Sequence, residues 1–113
     1  MRDDRVLLKR MRDYCFDIEY DINRFGDSID DFMEDPAYRR SVCLTLMQIS
    51  ETSRNLTDDF KTEHSEIDWP SVIGFRILVA HKYHGLDYEK VWEIASTQIQ
   101  ELMNFCDRVL SGD

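Results

Sequence analysis

Apolar residues recur along most of this chain at intervals of three and four, the spacing that places side chains on one face of an α-helix. From about Asp3 to Phe25 the stripe is Leu7, Met11, Tyr14, Ile18, Ile22 and Phe25, and Gly26 follows where a helix-stopping glycine belongs. Ser28 is placed to cap a short turn that carries Phe32 and Met33. Pro36 suits the first turn of a second long helix. Its stripe of Tyr38, Val42, Leu46, Ile49, Leu56 and Phe60 predicts a run to about Lys61, with Ser53 on the stripe and Glu51 and Arg54 to one side. His64 to Asp68 reads as a polar loop, and Trp69-Pro70 opens a third helix. Val72, Ile73, Phe75, Leu78, Val79 and Ala80 make that helix apolar nearly all round, which predicts a place in the centre of a bundle or in an interface. Gly85 ends it, and Asp87 is a good N-cap for the last helix. There Val91, Ala95, Leu102, Cys106 and Val109 form one line, with Trp92, Ile99, Met103 and Leu110 beside it. The pattern predicts an all-α fold, an up-and-down bundle of four long helices plus a short one, in a single domain over residues 1–113.

Composition supports this. Only 4 Gly and 2 Pro leave little turn chemistry for a hairpin-rich fold. With 33% charged and 42% hydrophobic residues, the chain can build a core. Its net charge of −9 opposes nonspecific attachment to nucleic acid or to an anionic membrane. An RNA contact would need a local basic patch, for which Arg39, Arg40, Arg54, Lys61, Arg76 and Lys82 are available. Cys15, Cys43 and Cys106 fit no metal or disulfide spacing and fall on apolar stripes, so buried reduced thiols are expected. The charged first residues lack a secretory core, and no run of 18 apolar residues exists. A cytoplasmic protein without a membrane span is expected.

Candidate chemistry concentrates in residues 74 to 85, where Arg76, His81, Lys82, Tyr83 and His84 stand on an otherwise apolar helix. Arg76 and Tyr83, seven apart, share a face. His81 lies roughly 140° round the axis from Arg76 and about 7.5 Å along it. One regular helix therefore does not aim both at one phosphate, whereas two copies meeting on a twofold axis would each supply an Arg and a His to a shared cleft. A homodimer with this helix at or near its interface is expected. His81 and His84 offer two zinc ligands with no visible third, so neither metal nor cofactor is expected.

Arg-x4-His-x-Tyr, present as Arg76, His81 and Tyr83, resembles the signature of HEPN-domain proteins, specifically the HepT-like toxins. The likeness runs in register over about residues 3 to 105. It takes in Ile49 to Thr52, Asp68-Trp69-Pro70, Ile73 to Arg76, and Gly85, Asp87, Val91 and Trp92. Two positions depart from the family pattern: Ile77 stands where Asn is usual, and Ser50 where Gly is usual. The resemblance implies a metal-independent endoribonuclease toxin, with RNA as substrate and a minimal nucleotidyltransferase as antitoxin. That partner would add AMP to Tyr83. Arg76 and His81 would be catalytic. A histidine exchanges protons near neutral pH, and an arginine fork stabilises developing phosphorane charge. Glu51, Lys82 and His84 are possible supporting residues. The alternative, favoured by Ile77 and the acidic balance, is a non-catalytic HEPN module that binds nucleotide or scaffolds a nucleotidyltransferase.

Overall fold

The computed structural model describes residues 3–80 and 87–112. These are all-helical, in the order α1 (Asp4–Phe25), α2 (Ile29–Glu34), α3 (Pro36–Arg54), α4 (Asp58–Glu63), α5 (Trp69–Ile73), α6 (Phe75–Ala80), α7 (Tyr88–Glu93), a π-helical turn (Ile94–Gln98) and α8 (Ile99–Ser111). No strand occurs among the described residues. Among the described residues, no helix is long and apolar enough to cross a membrane.

α1 is bracketed as its sequence requires. Asp3 caps it by accepting from the Arg5 N–H, and Gly26 ends it at φ 123°, a conformation that L side chains rarely adopt. α1 packs along α3 on one side and α8 on the other. The core between them holds Leu7, Leu8, Met11, Cys15 and Ile18 of α1 with Val42, Leu46 and Ile49 of α3 and Leu102, Phe105 and Cys106 of α8. At one end, Tyr38 stacks on Phe25 with centroids 5.1 Å apart, and Phe32 meets Trp92 at 5.4 Å. The Tyr38 hydroxyl donates to the Gly26 carbonyl at 2.8 Å, tying the α1 stop to α3.

Three helical boundaries differ from the sequence expectation. The second long helix stops at Arg54 rather than near Lys61. Leu56 is buried, so the hydrophobic stripe continues in phase across the break. The break comes instead from polar chemistry. Thr57 caps α4 by accepting from the Phe60 N–H, and Asp58 and Asp59 occupy the first turn of α4. Asp4 fixes the corner, its two carboxylate oxygens accepting from the Thr57 N–H at 2.9 Å and the Thr57 hydroxyl at 2.6 Å. The third helix divides at Gly74 into α5 and α6. It does not lie at the centre: Ile77 is 58% exposed. The last helix carries a π turn, in which the Ile99 N–H reaches the carbonyl of Ile94, five residues back. Ser96 and Thr97 hydroxyls donate to the Trp92 and Glu93 carbonyls beside it, at 2.7 and 2.5 Å.

Cys15 and Cys106 are buried free thiols, and Cys43 is half-buried. Burial pushes Cys15 far above its ordinary range, with Cys106 and Asp107 adding to the effect, and pushes Cys106 up to about 12. Reactive thiolate is therefore scarce at either position near neutral pH.

Asp21 is a buried carboxylate of α1, accepting from the Ser41 hydroxyl of α3 at 2.6 Å. Burial raises its pKa above 3.8, against the lowering effect of the Ser41 bond, and Asp17 raises it further. A folded-state pKa above the unfolded value means that ionised Asp21 costs stability at neutral pH. The cost is relieved as pH falls through the folded pKa. Asp21→Asn is therefore expected to raise the melting temperature at pH 7, with the gain over wild type shrinking as the pH falls through the carboxylate range. Melting curves at several pH values check this; equal gains at all pH values would contradict it.

Candidate nucleic-acid site

The site is assembled by α3 and by the break that follows α5. Splitting the helix at Gly74 changes the hydrogen-bond ladder: the Ile77 N–H bonds the Gly74 carbonyl rather than that of Ile73. The Ile73 carbonyl is instead accepted into α3's network, receiving a hydrogen bond from the hydroxyl of fully buried Ser50. Ser50 thereby supplies a donor that a glycine at this position would lack. Its neighbour in sequence, Glu51, lies on the exposed side of α3, and α6, which packs on α3, carries Arg76.

Glu51 is the meeting point of charge. Its Oε2 accepts from Arg54 Nη2 at 2.8 Å and from the Asn55 amide at 3.3 Å. The hydrogen bond from Arg54 is the largest influence holding the Glu51 carboxyl below the usual carboxylate range; Asn55 and the positive charge of Arg76 act in the same direction. Arg76 is exposed and makes no hydrogen bond or close ion pair among the described residues. It feels Glu51 without being tied to it. An exposed pair such as Arg54–Glu51 adds little stability, so the cluster's consequence is local charge: two guanidinium groups against one carboxylate, in a molecule of net charge −9.

The other basic residues do not all converge here. Arg39 donates to the Met33 carbonyl and lies over the Tyr88 ring, 5.1 Å from its centroid. Lys61 lies 4.0 Å from Asp58. Arg40 shares the outward face of α3 with Glu51 but stands eleven residues away, roughly 16 Å along the axis. That face also presents Leu44, 60% exposed, and Met47, 42% exposed. His81, Lys82, Tyr83 and His84, with the expected stop at Gly85, lie outside the described residues.

Two cavities differ in what they admit. One, of about 290 Å³, lies between α1 and α3 and is lined by Leu7, Arg10, Tyr14, Gln48, Glu51, Thr52 and Asn55. It adjoins the charge cluster through Glu51. Another, of about 390 Å³, is bordered by Glu66, Asp68 and Glu101 with no basic side chain in its lining. Its charge opposes a polyanion. Among the described residues, no group of three or more His, Cys, Asp and Glu is placed to hold a metal ion.

The family model for HepT-like ribonucleases ("Ribonuclease HepT-like") matches residues 8–109. The chain belongs to the HepT-like ribonuclease family. A relative named "Putative RNase" from Caldanaerobacter subterraneus subsp. tengcongensis is 33% identical over 114 residues, covering 100% of this chain and 99% of its own. Another "Putative RNase", from Methanocaldococcus jannaschii, is 30% identical over 84 residues, 73% of this chain and 77% of its own. A "Probable ribonuclease HepT" from Thermococcus cleftensis is 33% identical over 73 residues, covering 65% and 66%. No solved structure matches. Membership in this HepT-like family agrees with the resemblance read from Arg76, His81 and Tyr83 and with the all-helical architecture.

Sequence reasoning singled out Arg76 and Glu51 but gave no work to Ser50 beyond its departure from the pattern. Removing its hydroxyl leaves the Ile73 carbonyl without its donor. Ser50→Ala is expected to cost about 1–3 kcal/mol in chemical denaturation. A change within error would show that the hydroxyl bond is dispensable.

Proposed function

We propose that this HepT-like protein is a metal-independent endoribonuclease toxin that acts as a homodimer in the cytoplasm. The observation that carries the reading is an arginine, Arg76, that is unengaged among the described residues and whose charge reaches Glu51, within a chain that matches the ribonuclease family over residues 8–109. In this reading His81 takes the proton from a ribose 2′-hydroxyl. The 2′-oxygen then forms a bond to the adjacent phosphorus, and the P–O5′ bond breaks. The second copy's histidine returns a proton to the leaving O5′. Arg76 stabilises the charge on the equatorial phosphoryl oxygens. General acid–base catalysis and charge stabilisation each contribute about 10²–10⁴ in rate. The Glu51–Arg54 pair sets the resting field around Arg76; Lys82 and His84 are supporting candidates. Leu44, Met47 and Ile77 supply exposed apolar surface for the second copy.

Control follows from the same segment. A nucleotidyltransferase partner transfers AMP from ATP to the Tyr83 oxygen, releasing pyrophosphate. The added phosphate blocks RNA by bulk and by repulsion beside Arg76 and His81. A second reading, a non-catalytic module that binds nucleotide or scaffolds the nucleotidyltransferase, is favoured by one observation: exposed Ile77 occupies the place where the motif usually has Asn.

Induction of the wild type is expected to arrest growth and produce new RNA fragments, and Arg76→Ala and His81→Ala are expected to abolish both. Well-expressed wild type without arrest or fragments would select the non-catalytic reading. Co-expression of the partner is expected to add mass in multiples of AMP to wild type and none to Tyr83→Phe, read by intact-protein mass spectrometry. Full neutralisation of Tyr83→Phe by the partner would rule out this route of control.

A further inference from the structure

The pocket between α1 and α3 is not used by the chemistry above. We infer that it is a subsite for one unpaired RNA base adjoining the cleaved phosphodiester. This rests on the ribonuclease reading and adds to it the place where substrate is gripped. Buried Leu7 supplies an apolar lining and half-buried Tyr14 an aromatic one, which suits a flat heterocycle. Gln48 supplies an amide whose donor and acceptor are unengaged among the described residues. Glu51 supplies Oε1, since the bonds from Arg54 and Asn55 both fall on Oε2. These are complementary to the N–H and carbonyl edge of a base that no strand has paired. A volume of about 290 Å³ is at the lower end for small-molecule sites, roughly 300 Å³ and upward, which admits one base rather than several.

Position ties the pocket to the chemistry. Glu51 lines the pocket between α1 and α3, and Arg76 is carried by α6, which also packs on α3. A helix with its side chains is about 10 Å across. A strand crossing the exposed side of α3 can place a base beside Tyr14 and a neighbouring phosphate at Arg76, with Arg10 and Arg54 available to its backbone. Recognition by one base and a few phosphates also suits an acidic protein, whose field opposes long tracking along a duplex.

The probe is a short single-stranded RNA carrying the fluorescent base 2-aminopurine, titrated with the full-length protein. Wild type is expected to bind it and quench its fluorescence by stacking. Tyr14→Phe, which keeps the ring, is expected to retain both affinity and quench. Tyr14→Leu, which keeps apolar packing, and Gln48→Ala, at an exposed position, are each expected to lower affinity about tenfold, within the range that base stacking contributes. Circular dichroism melting confirms that both fold. Wild-type affinity and quench in both variants would overturn the subsite, as would no binding of single-stranded RNA by the wild type. Cleavage assayed in parallel separates the two claims. Cleavage that Arg76→Ala abolishes but Tyr14→Leu and Gln48→Ala leave unchanged sinks the subsite alone. Binding with stacking that both variants weaken, but no cleavage by the wild type, sinks the ribonuclease reading and with it the tie to a cleaved bond, and leaves the base-binding pocket itself standing.

Discussion

The constraint on which this molecule depends is the double duty of α3. One face is buried against α1, with Val42, Leu46, Ile49 and Ser53 inaccessible to solvent, and one flank receives α5 and α6. A helix gripped this way tolerates polar side chains inside only if their hydrogen bonds close locally. They do: Thr45, Thr52 and Ser53 donate to carbonyls four residues back, and no buried side-chain polar atom is unsatisfied among the described residues. Ser50, like Ser41 with its bond to Asp21 of α1, differs in direction rather than in satisfaction. It reaches outward to another helix and so converts a local habit of serine into a tertiary link.

That link gives a serine work to do where the resemblance would place a glycine. A glycine at this position would let the helices approach; a serine brings them together with a bond. The exposed side of the same helix carries Glu51, so the residue that joins the helices and the residue that gathers the charges are adjacent in sequence and opposite in environment. Charge and packing are thereby set by one element, and the geometry of the cluster inherits the rigidity of the core.

Legibility in the sequence followed the nature of each signal. α1 was readable throughout because its stripe, its Asp3 cap and its Gly26 stop agree. The end of α3 was hidden because Leu56 and Phe60 continue the stripe in phase, while the deciding features, Thr57 with Asp58 and Asp59, are a capping signal that periodicity does not weigh. The break at Gly74 was readable only as a glycine inside an apolar run. Of the candidate site, Arg76 was picked out by motif spacing and Glu51 by the likeness of Ile49 to Thr52 to a family segment. The pocket beyond Glu51 was not, because Arg10 and Tyr14 are some forty residues from Gln48 and Asn55, and only the packing of α1 on α3 brings them together.

The π turn has a consequence for reading this chain against its relatives. An extra residue in a helical turn offsets everything after it by about 100° relative to everything before. Val91 and Ala95 before the turn and Leu102 and Cys106 after it all face the core. A relative that lacks this turn would present the same aligned letters to different neighbours along α8. In this segment, identity of letters and identity of environment are separate quantities, and only the phase on each side of Ile94–Gln98 relates one to the other.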